Sequence, residues 1–118
     1  MRAVVFSGTT EGRRFSKKLA ELGVAVTVCV ATPLGAEEQG EMAGITVHAG
    51  RLQPDAMAAL LAGADLCVDA THPYARVVTE NLRGAVDTLK SLEKDAHFPF
   101  TCVWNGKSTG LQKQMALL

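Results

Sequence analysis

Two short stretches of this chain gather residue types that do chemistry. The first is Gly8-Thr9-Thr10-Glu11-Gly12-Arg13. An apolar run precedes it and a helical pattern follows at once, so it reads as strand end, tight loop and helix N-terminus in one piece. Backbone N–H groups at a helix start are unpaired, and with the helix dipole they make a site for an anion, most often a phosphate. Thr9 and Thr10 can add hydroxyl donors. Gly12 lets a ligand or a neighbouring strand come close. Arg13 lies in the first turn, where a cation is disfavoured by ~0.3–1 kcal/mol, a penalty that a bound phosphate removes. The alternative is a tight strand–helix turn with a solvated arginine. The loop is not G-x-G-x-x-G, because Thr10 and Arg13 stand where two of the glycines would be. Nor is it a Walker A loop, since no Gly-Lys pair precedes the helix.

The second stretch is Asp69-Ala70-Thr71-His72-Pro73-Tyr74-Ala75. It sets an acid, a hydroxyl, an imidazole and a phenol at the end of another apolar run. Pro73 suits the start of a helix. His72 can donate to a carboxylate-rich ligand or act as an acid, with Asp69 to orient it. Equally, Asp69 and Thr71 can cap the helix and leave His72 as a surface residue. At the exit of the second strand, where an acid would bind the ribose hydroxyls of NAD, Ala31-Thr32 stands instead, with Glu37 and Glu38 further on. That weakly favours a 2′-phosphate, yet no arginine is there to receive it, so NADPH and NADH both stay open. Gly106-Lys107-Ser108 lacks the glycine that a Walker A loop needs at position 101. His48, His72 and His97 have no metal-ligand spacing, so no metal is expected.

These loops need elements to hold them. Residues 2–6 read as a strand, continuously apolar after Arg2, as in a strand buried on both faces. A helix is expected over 11–22, with Phe15, Leu19 and Leu22 on one side and Gly23 as its stop. Further strands are expected over 24–30, 45–48, 66–70 and 98–104. A short helix over 36–42, one from Pro54 towards Gly63 and a long one after Tyr74 alternate with them. Residues 31–35 read as a break. Alternation of this kind predicts an α/β fold, a Rossmann-like parallel sheet with helices on both faces in a single domain. Its ligand site lies beyond the carboxyl ends of the strands. Residues 1–92 form the expected cofactor-binding domain, and 93–118 an atypical C-terminal segment with the last strand and a tail.

Composition narrows the classes. The 118 residues carry 12 basic and 12 acidic side chains and 47% apolar residues. One core is within reach, and no basic face invites nucleic acid. No apolar run approaches the ~20 residues of a membrane span. Cys29, Cys67 and Cys102 make an odd number without a CxxC, which suits reduced thiols. No signal peptide is visible, and a cytoplasmic location is expected.

The two motifs, in this order and with Gly50-Arg51 after the third strand, resemble the signatures of the precorrin-6A reductases, including the cobalt-precorrin-6A form. The resemblance spans about residues 1–85. It implies an oxidoreductase of cobalamin (corrin ring) biosynthesis that carries hydride from NADPH or NADH to a conjugated tetrapyrrole. It implies two Rossmann-like domains with the active site between them. Gly8, Thr9, Thr10, Glu11, Gly12 and Arg13, with Thr32, would hold the cofactor. Arg51, Thr71, His72 and Tyr74 would meet the tetrapyrrole. Members are about twice this length, so the chain reads as the cofactor-binding half. The alternative is a nucleotide-binding module with no catalysis of its own, and an open cleft would make self-association plausible.

Overall fold

The computed structural model describes residues 1–72, 75–92 and 101–104. Five strands, β1 (Arg2–Phe6), β2 (Ala25–Val30), β3 (Ile45–Ala49), β4 (Leu66–Asp69) and β5 (Thr101–Trp104), form one parallel sheet in the order β3-β2-β1-β4-β5. Among the described residues four helices accompany them: α1 (Thr10–Glu21), α2 (Pro33–Gln39), α3 (Pro54–Leu61) and α4 (Arg76–Leu92).

Central position explains why β1 is apolar from Ala3 to Phe6. Ala3 and Val5 face one side, among Phe15, Leu19 and Val28, while Val4 and Phe6 face the other, among Met57, Leu61 and Leu82. Helices α1 and α2 therefore cover one face, and α3 and α4 cover the other. Each buried Val, Leu or Phe contributes roughly 1.5–3 kcal/mol relative to exposure, which is what holds the layers together. Gly23 ends α1 with φ 87°, its N–H donating to Ala20 O at 3.0 Å.

The chain runs outward from β1 through β2 to β3, then crosses back to β4 on β1's other flank. Register sets Phe6 between Cys29 and Asp69. The exits of β1 and β4 thus lie side by side at the point where strand order reverses, the usual crevice in such sheets. The opposite end is closed by Arg2. Its backbone N–H donates to Asp65 at 2.9 Å, and its guanidinium donates to the carbonyls of Leu60 and Ala62 at the end of α3.

One element differs from the sequence expectation. Helix α2 starts at Pro33 and ends at Gln39, not over 36–42. The Thr32 hydroxyl accepts the Gly35 N–H at 3.1 Å and Pro33 takes the first helical position, so residues read as a break are a helix start. Tyr74, and all of segment 93–118 except β5, lie outside the described residues.

Candidate functional site

At the β1 exit the chain turns on Gly8, whose φ of 137° is open to glycine and strained for other residues. A Cβ there would meet nothing within 4 Å, so space lies beside the backbone. Thr9 is the N-cap of α1. Its hydroxyl accepts the Gly12 N–H at 3.0 Å and donates to the Ala70 carbonyl at 2.7 Å. One side chain therefore caps the helix and ties the β1 exit to the β4 exit. Gly12 is buried, and a Cβ on it would lie 2.4 Å from Ser7 Oγ and 3.1 Å from Ala70 Cβ. Ser7 and Ala70 thus come close to Gly12. Ser7 Oγ is buried and has no hydrogen-bond partner among the described residues.

Arg13 is partly exposed and has two side-chain partners. Its guanidinium pairs with Glu38 of α2 at 3.2 Å and donates to Thr10 Oγ1 at 3.1 Å. The carboxylate answers the unfavourable charge in α1's first turn.

At the β4 exit, Asp69 is 1% exposed. Its Oδ1 accepts the Thr71 N–H at 3.1 Å and the Thr71 hydroxyl at 2.6 Å, while Oδ2 accepts the Thr79 hydroxyl at 2.6 Å. The carboxylate thereby joins strand exit, loop and the first turn of α4. His72, next in the chain, is exposed.

Both exits open into a cleft of about 550 Å³, within the range of small-molecule sites. Gly8, Arg13, Thr32, Arg51, Thr71 and His72 all line it, so the fold gathers these sequence candidates at one edge. Thr9, Thr10, Glu11 and Gly12 are not among the cleft's lining residues. Arg76, at the start of α4, also lines the cleft and was missed, because a cation on a helix surface looks like solvated charge. Glu38 is the one carboxylate among the described lining residues, against the cations Arg13, Arg51 and Arg76. The cleft therefore favours anions. Its walls also carry Leu34 and Val77, 62% and 64% exposed. Cys29 sits in the floor, where burial pushes its thiol up to about 12 and keeps it protonated.

Among the described residues no group of three His, Cys, Asp or Glu side chains is arranged to hold a metal ion. No described helix is long and apolar enough to cross a membrane.

Comparison with known proteins matches residues 2–91 to the family model of the precorrin-6x reductases CbiJ/CobK. The chain is 38% identical over 87 residues to a cobalt-precorrin-6A reductase of Salmonella typhimurium, covering 72% of this chain and 33% of that protein. It is 37% identical over 95 residues to a cobalt-precorrin-6A reductase of Methanothermobacter thermautotrophicus, covering 75% and 30%. The chain thus spans about a third of the length of these curated relatives.

Proposed function

This chain belongs to the precorrin-6x reductase CbiJ/CobK family, and from that premise we propose that it is the cofactor-binding part of a reductase acting on precorrin-6A or its cobalt form. The observation that carries this reading is the cleft at the β1–β4 crossover, where open space beside Gly8 meets the N-terminus of the twelve-residue helix α1. The residues present fit a nicotinamide dinucleotide. Beside Gly8 the backbone can approach a diphosphate, and the Ser7 hydroxyl, buried at the base of the same loop, has no hydrogen-bond partner among the described residues. When bound, the nicotinamide supplies the hydride.

The chain's own residues bind and orient. Gly8, Thr9 and Thr10 present backbone N–H groups, and α1 its dipole, to the phosphates, while the N–H groups of Gly12 and Arg13 are spent on the Thr9 hydroxyl and carbonyl. The Thr9 hydroxyl, already shared between Gly12 and Ala70, acts by holding the loop in shape. Thr32 lines the second-strand side of the cleft, where the ribose next to the base falls. Arg51, Arg76 and His72 offer donors to the carboxylates of a tetrapyrrole, and Leu34 and Val77 offer apolar contact to its ring. Thr71 shapes the same wall through Asp69. Tyr74 is assigned to that wall by resemblance alone. Holding two ring systems in register is the main task of the protein in such a transfer. We place the protein in the cytoplasm and treat residues 1–92 as its dinucleotide-binding domain.

A second reading is favoured by the fraction of the relatives that the chain spans: a module that binds the dinucleotide, with turnover requiring the remainder of the family's length. Calorimetric titration of the purified chain with NADPH and NADH tests the reading common to both. Saturable binding of either cofactor is expected. A folded chain that binds neither refutes it.

A further inference from the structure

We propose that the Arg13–Glu38 pair selects between a 2′-phosphate and a 2′-hydroxyl on the adenosine ribose of the bound dinucleotide. This rests on reading the cleft as a dinucleotide site. In doubly wound sheets an acid at the exit of the second strand receives the ribose hydroxyl, and an arginine nearby accommodates a 2′-phosphate. The exit of β2 has neither in sequence: Ala31 and Thr32 stand there, and the Thr32 hydroxyl is taken by the Gly35 N–H. The fold supplies both from elsewhere. Arg13 comes from the first turn of α1, and Glu38 from the last turn of α2, and the two meet at 3.2 Å in the cleft wall that Thr32 also lines.

The two charges pull in opposite directions. A carboxylate accepts a hydrogen bond from a ribose hydroxyl and repels a phosphate dianion. A guanidinium attracts the phosphate and can bind it through two parallel N–H bonds. Each also restrains the other, because Arg13 is held by Glu38 and by Thr10. The side chains are 26% and 50% exposed, so both are reachable by a ligand. An exposed pair is weak and opens readily for a stronger partner. Arg13 gains further from an anion because it sits at the positive end of the α1 dipole. No other carboxylate lies among the described residues of the cleft, so removal of Glu38 leaves nothing there to oppose a phosphate.

The test compares dissociation constants of NADPH and NADH, and of 2′-phospho-ADP-ribose and ADP-ribose, for the chain and its Glu38→Gln, Arg13→Gln and Arg13→Lys variants. Circular dichroism confirms folding, which these partly exposed positions should preserve. Glu38→Gln is expected to move the ratio roughly tenfold towards the 2′-phosphorylated ligands, and Arg13→Gln roughly tenfold to a hundredfold away from them. Arg13→Lys should recover part of the loss. The shift should persist in the ADP-ribose pair, which lacks nicotinamide. If the unaltered chain binds a dinucleotide and neither Gln variant moves the ratio, the selector is refuted and the proposed function stands. If the folded chain binds none of the four ligands, both fail.

Discussion

The exits of β1 and β4 lie side by side and are built on opposite plans. The β1 exit is held by backbone and a single hydroxyl: Thr9 bridges Gly12 and Ala70, and Gly12 lets α1 press against Ser7. The β4 exit is held by a buried carboxylate that gathers Thr71 and Thr79. In both, a polar side chain of a type that could meet a ligand is the clamp instead. In the proposed function, what the clamps leave over is the working surface. At β1 that surface is main chain beside Gly8, suited to phosphate. At β4 it is side chain, His72 and Arg76, suited to carboxylates. A loop that binds through its backbone tolerates side-chain change and no change of path; the reverse holds for the other.

The contrast breaks first at Gly12. Gly12→Val drives a side chain into Ser7 and Ala70, and overpacking of this kind should cost about 3 kcal/mol and abolish dinucleotide binding with it. Urea unfolding measures the first effect and calorimetry the second. Ser7→Gly in the same chain should recover part of both, because Ser7 Oγ is the nearest obstacle. Lost binding at undiminished stability would mean that Gly12 serves a ligand instead of the adjacent strand.

Asp69 comes next. Asp69→Ala leaves the Thr71 and Thr79 hydroxyls without their acceptor and should cost about 2 kcal/mol. Thr9→Ala, which loses a cap and one bridge, should cost about 1 kcal/mol. Thermal melts of the two variants, run together, order the clamps. A larger loss at Thr9 would reverse the comparison and make the hydroxyl the main tie between the exits.

These two clamps also mark where the sequence was legible. Strand and helix positions followed from apolar periodicity, and Gly23 from its place after the last apolar residue of α1. The alternative reading of Asp69 as a structural residue was visible too, since a carboxylate two residues before a threonine is a common local bond. Thr9's second partner was not, because Ala70 lies 61 residues away and adjoins it only once β4 pairs with β1. The start of α2 is ambiguous in sequence, because Thr32-Pro33 reads equally as a break or as a cap and first turn. Arg13 and Glu38 are 25 residues apart, and their meeting depends on α1 and α2 sharing one face of the sheet. No local pattern contains that information.

His72 sharpens the other half of the comparison. It is exposed, so His72→Ala should change stability by less than about 0.5 kcal/mol. It should leave NADPH and NADH affinity nearly unchanged and weaken binding of a polycarboxylate tetrapyrrole roughly tenfold. Fluorescence titration with uroporphyrin as a stand-in carries the comparison. Loss of dinucleotide affinity instead would move His72 to the phosphate side of the cleft.

The smallest effect lies beneath both exits, at Cys29, which pairs in register with Phe6 and whose carbonyl accepts the Ser7 N–H at 2.8 Å. Burial raises its thiol from 9.0 to about 12. In the unfolded chain the thiol ionises near its ordinary value, whereas in the folded chain it keeps its proton. Between those values the folded state binds more protons, so stability falls as pH rises through the window and is untouched below it. The loss should be under about 1 kcal/mol at pH 9.5, and Cys29→Ala should flatten that part of the profile. Thiolate is the nucleophile, so iodoacetamide at pH 8 should spare Cys29 in the folded chain and label it in urea, as read by peptide mass mapping. Rapid labelling without denaturant would mean that water reaches the cleft floor. The β1 exit would then rest on a wet surface, and its backbone could not hold the single path that phosphate binding requires.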